Sequence, residues 1–253
     1  MSINMERVAE LTEIESKRLN ERTKGSGDMY NRARNSLSGG VASSYQLREP
    51  WPIYLERGQG PKVWDVDGNE MWDFHNGFGS MLQGHAHPVI GEAVQERYGK
   101  GTHFAAPTED ALAVAENLSS RWGLPKWRYT NSGSESTMDA IRIARAYTGR
   151  DTVMKIFGSY HGHHDTVMVS IGVEYDKIGD RDNLASLPYG GGIPDATVQM
   201  TVPVPFNDAE AQERRIIRLT DEGRKPACVI MEPAMMNLGV VLPEPGYLEQ
   251  VRE

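Results

Sequence analysis

The sequence predicts an α/β fold in which a mostly parallel sheet is flanked by helices. From residue 127 onwards, short apolar runs alternate with helical patterns, which is typical of parallel βαβ units. The first of these runs, 127–130, leads into a turn of small residues and then a long helical pattern. The chain has 253 residues, enough to bury a sizeable core in one large or two small domains.

The N-terminal part has a less regular pattern. Residues 3–24 carry apolar side chains roughly on one side, which predicts a helix. Residues 25–52 are rich in Gly, Ser and Pro, so we expect irregular chain there. Alternating runs on both sides of an Asp-Gly-Asn turn predict a β-hairpin over 63–74. A glycine-rich loop is expected over 75–88 and a helix over 89–98.

The rest of the chain predicts the elements of a layered α/β sheet. Helices are expected over 110–122, 135–147, 208–221 and 247–251. Strands are expected over 127–130, 152–157, 166–171, 198–204 and 227–231. The polar stretch 172–195 is expected to be a functional or mobile loop, since loops of this length are uncommon in compact domains. Because the chain ends within the last predicted helix, we expect the domain to be incomplete.

Composition excludes several classes of function. A formal net charge of −8 argues against broad binding to nucleic acid or to anionic membranes. No apolar run is long enough to span a bilayer, and the charged N-terminus lacks the apolar region of a signal peptide. The single cysteine, Cys228, excludes an internal disulfide and fits a reducing cytosol, so a cytoplasmic location is expected. Because Cys228 lies in an apolar strand, it is expected to be a buried small hydrophobe.

Two small-residue turns suggest a phosphorylated aromatic cofactor. Ser132, Gly133 and Ser134 precede a helix, where backbone N–H groups and the helix dipole suit a phosphate. The second turn, 158–163, carries Tyr160, whose ring can cover a flat heterocycle. The alternative for the first turn is a capped helix start with Ser132 or Ser134 as N-cap.

Further polar residues follow the predicted strands. Glu232 ends an apolar strand, and ligands bind at the carboxyl ends of parallel strands, although the residue could equally be a solvated strand end. Asn237 could donate to a ring oxygen or stabilise a turn. The His and Asp residues of 161–165 could bind a metal, but adjacent histidines point in different directions and a third ligand is lacking. No metal site is therefore predicted.

Seven motifs occur in a fixed order and cover nearly the whole chain from about residue 30. They are Trp64–Glu70, Gly84–Pro88, Ala106–Glu109, Asn131–Glu135, Ala144–Arg150, Tyr160–His163 and Glu232-Pro233. Together they resemble the class III aminotransferases that use pyridoxal phosphate, and among these the glutamate-1-semialdehyde 2,1-aminomutases. The ordered set is far more specific than any single motif.

The resemblance implies a fold-type-I enzyme with pyridoxal 5′-phosphate as its cofactor. Ser134 stands where the family usually has threonine, a replacement that keeps the hydroxyl. The residues that the resemblance implies as cofactor contacts are Ser132, Gly133 and Ser134 at the phosphate, Tyr160 stacked on the pyridine ring with His161 beside it, and Asn237 near the ring's hydroxyl oxygen.

On the substrate side, the resemblance implies that Glu232 lines the site near the reacting carbon and that Ser43, Gln46 and Phe78 lie near the substrate. The aminomutases usually have an arginine where Gln46 stands, and an amide cannot make that arginine's bidentate pair with a carboxylate. They also have a tryptophan where Phe78 stands. Both differences favour an aminotransferase with another amino donor. An aminomutase in which Arg48 replaces the missing arginine remains the alternative.

The family's Schiff-base lysine and ring-nitrogen aspartate belong to motifs that lie beyond these residues. None of the eight lysines stands in the matching motif, and Lys155 is interpreted as a structural residue of its strand. Since the chemistry needs that amine, we expect the chain to be inactive alone. The chain is thus expected to be the N-terminal part of an aminotransferase that acts on a small-molecule amino donor and a carbonyl acceptor.

The resemblance also predicts domains and partners. Residues 1–75 would form the N-terminal helix and hairpin segment of the small domain, and 76–253 a partial cofactor-binding large domain. The partner would be a second subunit in a homodimer, or a complementing C-terminal half. The alternative from another class is a non-catalytic binding or regulatory protein that has half of the enzyme fold.

Overall fold

The computed structural model describes residues 3–253, which form two compact units, one ending at Thr108 and the other spanning Glu109–Glu253. The helices are α1 (Met5–Arg22), α2 (Lys24–Ala33), α3 (Asn76–Gly79), α4 (Pro88–Tyr98), α5 (Glu109–Trp122), α6 (Gly133–Thr148), α7 (Asp195–Gln199), α8 (Ala209–Asp221) and α9 (Tyr247–Arg252). The strands are β1 (Leu55–Gln59), β2 (Lys62–Asp65), β3 (Glu70–Trp72), β4 (Val153–Ile156), β5 (Gly179–Asp180), β6 (Asn183–Leu184), β7 (Thr201–Val204) and β8 (Cys228–Ile230). The boundary between a small and a large domain that the resemblance implies at residue 75 remains a prediction. Within residues 3–253, no helix is long and apolar enough to cross a membrane.

The first unit contains an antiparallel sheet in the order β1-β2-β3. The predicted hairpin corresponds to β2 and β3, and β1 is a third strand that the sequence pattern did not indicate. The hairpin turn is held by the buried side chain of Asp65, which accepts hydrogen bonds from the N–H of Asp67 at 3.1 Å and that of Asn69 at 2.7 Å.

The expectation of irregular chain over residues 25–52 is wrong at its start, where α2 continues to Ala33. The helix begins against the hairpin turn, because the carboxylate of Asp67 accepts hydrogen bonds from the N–H of Gly25 at 2.6 Å and of Ser26 at 3.1 Å. A side chain at Gly27 would lie 3.2 Å from the ring of Trp51. The glycines and the serine that suggested a loop therefore lie in a capped and closely packed helix. These tertiary contacts outweigh the low intrinsic helix propensity of glycine and serine.

The second unit is built on a parallel sheet in the order β7-β4-β8, which confirms the predicted α/β fold. β4 and β7 are buried along their whole length and β8 is half-buried, and successive side chains point to opposite faces of the sheet. One face of the sheet packs with α8 through a cluster of Met154, Ile156, Val202, Val204, Leu219 and Met235. The other face packs with α6 through Ile141, Val153 and Val167. Cys228 packs against this second cluster, and burial raises the pKa of its thiol.

Two predicted strands are not strands. Residues 127–130 have no ladder partner within the described chain and are held by side chains, with the hydroxyl of Tyr129 donating to Ala111 O at 2.8 Å. Residues 166–171 form a turn followed by one isolated bridge between Val169 and Pro188. The apolar run there is buried core without ladder pairing, and a short apolar run cannot by itself distinguish the two. The loop over 172–195 contains the small β5–β6 hairpin.

Candidate functional site

The candidate site of the second unit lies at the carboxyl ends of β4 and β8. β4 leads into the turn at 157–163, and β8 leads into the segment from Glu232 to Asn237. Strands of a parallel sheet end on the same edge, and open α/β sheets bind their ligands at that edge. Every residue predicted to contact the cofactor belongs to this unit.

The start of α6 offers free backbone donors. Ser132 is the N-cap, and its hydroxyl accepts a hydrogen bond from Glu135 N at 3.2 Å, as the capping interpretation predicts. The Glu135 carboxylate turns away to accept from Asn131 N at 2.7 Å. Within residues 3–253, the N–H groups of Gly133 and Ser134 form no hydrogen bond. Free N–H groups at the positive end of a helix form a ready anion site.

The turn that follows β4 is fastened to the start of α6. The N–H of His163 donates to the Ser134 hydroxyl at 2.8 Å, and the Thr137 hydroxyl donates to His161 O at 2.6 Å. Gly162, with φ +109°, allows this approach, since a Cβ there would lie 2.6 Å from Ser134 Cα. A Cβ at Gly133, by contrast, would meet nothing within 4 Å. The start of α6 therefore offers free N–H donors, the hydroxyls of Ser132 and Ser134, and open space at Gly133. These features fit a phosphate, and we call them the phosphate cradle.

The segment after β8 is fastened to the same turn. The carboxylate of Glu232 accepts from Tyr160 N at 3.3 Å and from Met236 N at 2.7 Å. The side-chain amide of Asn237 donates to Gly158 O at 3.0 Å. The Tyr160 side chain remains 46% exposed, so its ring is available for stacking.

Two basic groups of this region have lowered pKa values: Lys155, fully buried in β4, and His161, half-buried in the turn itself. Burial, aided by the charges of Lys155 and His164, lowers the pKa of His161 to about 4. Burial also lowers the pKa of Lys155 to about 8, against the opposite effect of the Glu232 carboxylate. His161 is therefore neutral at neutral pH. The sequence signal for an unusual residue was a lysine within an otherwise apolar strand.

The candidate substrate residues belong to the unit that ends at Thr108. Gln46 is tied to the backbone, because its side-chain oxygen accepts from Ser43 N at 3.2 Å. Tyr45, which sequence reasoning missed, brings this segment to the Phe78 turn, with ring centroids 5.0 Å apart. His75 completes the cluster at 4.3 Å from the Phe78 ring. Phe78 has φ +57°, an unfavourable conformation for a bulky residue, and is 72% exposed.

The guanidinium of Arg48 is occupied locally. It donates to Tyr45 O at 3.1 Å and to Leu47 O at 2.8 Å, and it lies 5.6 Å from the centre of the Tyr45 ring. Both bonds use Nη1, and within residues 3–253 no further hydrogen bond engages the Nε–H and Nη2–H donors of Arg48.

Comparisons with known proteins agree with this geometry. A family model described as aminotransferase class-III matches residues 44–253. The glutamate-1-semialdehyde 2,1-aminomutase of Methanothermobacter thermautotrophicus is 40% identical over 229 residues, which are 90% of this chain and 52% of that protein. That of Methanothrix thermoacetophila is 39% identical over 228 residues, 90% of this chain and 50% of that protein.

Solved structures show the same likeness. An omega-transaminase from Sphaerobacter thermophilus superposes with a TM-score of 0.82 at 39% identity, over 90% of this chain and 51% of that one. A glutamate-1-semialdehyde aminomutase from Pseudomonas aeruginosa PAO1 gives a TM-score of 0.84 at 28% identity, over 100% and 53% of the two chains. This chain thus spans about half the length of the relatives it matches. The parallel sheet with its flanking helices is part of a fold-type-I transferase, and the chain belongs to the class III aminotransferase family.

Proposed function

We propose that this chain supplies the cofactor-binding part of a pyridoxal-phosphate aminotransferase, which moves an amino group between an amine or amino acid and a carbonyl acceptor. The observation that carries the proposal is the fastening of the 157–163 turn to the start of α6, through the bond from His163 N to the Ser134 hydroxyl at 2.8 Å. This bond joins the turn that carries the exposed Tyr160 ring to the free N–H groups at the start of α6, which supports a site for a phosphorylated flat cofactor.

The residues that would hold the cofactor divide by chemistry. The N–H groups of Gly133 and Ser134, with the hydroxyls of Ser132 and Ser134, would bind the phosphate. The ring of Tyr160 would stack on the pyridine ring. Asn237 has a second amide N–H beyond the one donated to Gly158 O, and this donor would serve the ring's hydroxyl oxygen. When bound, pyridoxal phosphate supplies an electron sink for the carbon that carries the transferred nitrogen.

Glu232 would line the site with a carboxylate held in place, and His161 would line it with a neutral ring. Glu232 is held by two backbone N–H groups, so its carboxylate is fixed where it lines the site. The neutral ring of His161 would lie beside Tyr160 and present no positive charge to the cofactor.

The chain would depend on a partner for turnover. The reaction needs a lysine amine and an aspartate at the ring nitrogen, and the lysine of this region, Lys155, is fully buried within β4. A complementing C-terminal half would supply the missing groups, and a second subunit of a homodimer would complete the pocket. The single cysteine fits a cytoplasmic location for the assembly.

An aminotransferase is favoured over an aminomutase on the substrate side. Gln46 cannot form a charged bidentate pair with an α-carboxylate, and Arg48, two residues further on, is held through Nη1 to the backbone carbonyls of its own loop. We therefore propose an amino donor that does not rely on such a pair. The domain division at residue 75 and the substrate contacts of Ser43, Gln46 and Phe78 belong to the same proposal.

The test joins this chain to the C-terminal half of a class III aminotransferase that carries the lysine and the aspartate. Pyridoxal phosphate is titrated in, and its visible absorbance is followed before and after addition of an amine. We expect bound cofactor and an amine-dependent spectral change, with cofactor affinity about tenfold lower in Tyr160→Ala because stacking is lost. The control is Tyr147→Ala, which removes a tyrosine ring that is 91% exposed on α6 and should leave the cofactor affinity unchanged.

Two outcomes would contradict the proposal. If no cofactor binds to the joined protein, the cofactor assignment is wrong. If cofactor binds but no amine alters it with any complementing half, a non-catalytic binding or regulatory protein is the better description.

A further inference from the structure

Lys155 is a fully buried lysine with few polar partners. It lies in β4, the central strand of the parallel sheet, and is 0% exposed. Side chains alternate along a strand, so Lys155 shares the face of Val153, which packs with α6. Within residues 3–253 its ammonium has one hydrogen-bond partner, Ile156 O at 3.1 Å, although it has three protons to donate. A buried charge with so few partners costs stability.

The carbonyl of Ile156 connects Lys155 to His161 through Ser159. This oxygen accepts from the Lys155 ammonium and also from the Ser159 hydroxyl, at 2.6 Å. Ser159, itself 0% exposed, lies 2.9 Å from Nε2 of His161. A serine has one hydroxyl proton, and here it is given to the carbonyl. The Ser159 oxygen must then accept from His161, which puts the imidazole proton on Nε2.

We propose that Lys155 is a positioning residue of the cofactor site, which acts through its charge and through Ser159 to keep His161 protonated on Nε2 with Nδ1 unprotonated. Within the described residues Nδ1 forms no hydrogen bond, so it remains an acceptor beside the Tyr160 turn. The consequence for the cofactor rests on the proposed function. The network itself consists only of residues of this chain.

The charges around His161 agree with this role. The ring has Lys155 on the strand below it and His164 on its own turn, and both disfavour a second proton on His161. The Glu232 carboxylate, in the segment after β8, raises the pKa of Lys155 and so favours the charged ammonium. Asp165 and Arg145 act on His164, whose pKa is lowered chiefly by burial. Replacing the lysine therefore removes one defined repulsive charge and leaves the burial of the ring in place.

The first test follows the imidazole ¹⁵N signals of His161 in this chain, without cofactor, as pH is varied. In Lys155→Met we expect the pKa of His161 to rise, yet to stay below its ordinary value because burial is the larger cause. The Tm should be unchanged or a few degrees higher, since an apolar side chain of similar length replaces a poorly paired charge. Lys155→Arg keeps the charge and should keep the low pKa of His161. Lys126→Met, at an exposed lysine, should change neither the pKa of His161 nor the Tm.

The second test removes the hydroxyl without changing the charge. In Ser159→Ala we expect a substantial Nδ1-protonated population, visible as a change in the two ¹⁵N shifts of the neutral ring. If Lys155→Met does not fold, Lys155→Gln, which also removes the charge, takes its place in the first test.

The inference is overturned if the pKa of His161 is the same in Lys155→Met, or if its proton stays on Nε2 in Ser159→Ala. A large fall in Tm with unchanged His161 signals would assign Lys155 a structural role only. Because no cofactor is present, these outcomes are independent of the absorbance titration that tests the proposed function.

Discussion

The residues proposed to hold the cofactor and those proposed to meet the substrate are fixed by different means. The first group sits at strand ends and a helix start, where backbone hydrogen bonds such as His163 N to the Ser134 hydroxyl hold each part. The second group is held by one such bond, from Ser43 N to the Gln46 side chain, and otherwise by ring contacts around Phe78 and by a turn with positive φ. We therefore expect the first group to form a rigid region for the cofactor and the second an adaptable region for the substrate.

The largest expected effect comes from breaking the rigid region at Gly162. Gly162→Ala adds a Cβ 2.6 Å from Ser134 Cα at φ +109°, so both the turn and the start of α6 must move. Adding the strain of positive φ to that of overpacking, we expect a loss of more than about 3 kcal/mol in unfolding free energy. Denaturant titration measures it, and cofactor affinity should fall with it.

The matched control for Gly162→Ala is Gly192→Ala. Gly192 has φ +93°, and a Cβ there would meet nothing within 4 Å, so the strain is similar and the clash is absent. If both variants lose the same stability, the close approach of the turn to α6 is not what the glycine provides.

Lys155 gives the next largest effect, through the pH dependence of stability. The pKa of Lys155 is lowered from 10.5 to about 8 by burial, so the unfolded chain binds this proton more tightly than the folded one. The lysine therefore costs stability fully below about pH 8, and the cost disappears as pH rises toward 10.5. The cost is on the order of 3 kcal/mol, from about 1.4 kcal/mol per pKa unit.

The measurement compares wild type with Lys155→Met across that window. We expect the stability advantage of the variant to be greatest near neutral pH and to shrink as the pH approaches 10. A difference that does not change with pH would mean that the lysine is not titrating in the folded chain as inferred.

The rigid region was also the part most accessible from sequence. A small-residue turn and a helix follow one another locally, so Ser132, Gly133 and Ser134 could be proposed from their neighbours alone, although the strand expected just before them at 127–130 does not form. Tyr45 and His75 could not, because their contact with Phe78 depends on how a turn at positive φ folds back. The helix over 24–33 was missed for a similar reason, since its cap comes from Asp67, more than forty residues away in sequence.

The role of Ser132 can be divided into capping and phosphate binding. Ser132→Ala removes the bond to Glu135 N and should cost about 1 kcal/mol of stability as well as cofactor affinity. Ser132→Asp keeps an N-cap and suits the helix dipole, so stability should be preserved, yet its charge should repel a phosphate. Thermal unfolding and cofactor titration of both variants separate the effects. Equal cofactor affinity in wild type and Ser132→Asp would favour capping alone.

The smallest effect on stability is expected from Phe78→Trp, which tests the adaptable region. The side chain is 72% exposed and the larger ring can keep its contacts with Tyr45 and His75, so we expect a change within about 0.5 kcal/mol. In the joined enzyme, cofactor affinity should be unchanged while the relative rates with different amino donors shift. Phe74→Trp, at a side chain 95% exposed, is the control and should shift neither.

If Phe78→Trp instead weakens cofactor binding and leaves the preference among amino donors unchanged, Phe78 belongs to the cofactor site. The division between a rigid cofactor region and an adaptable substrate region is then wrong.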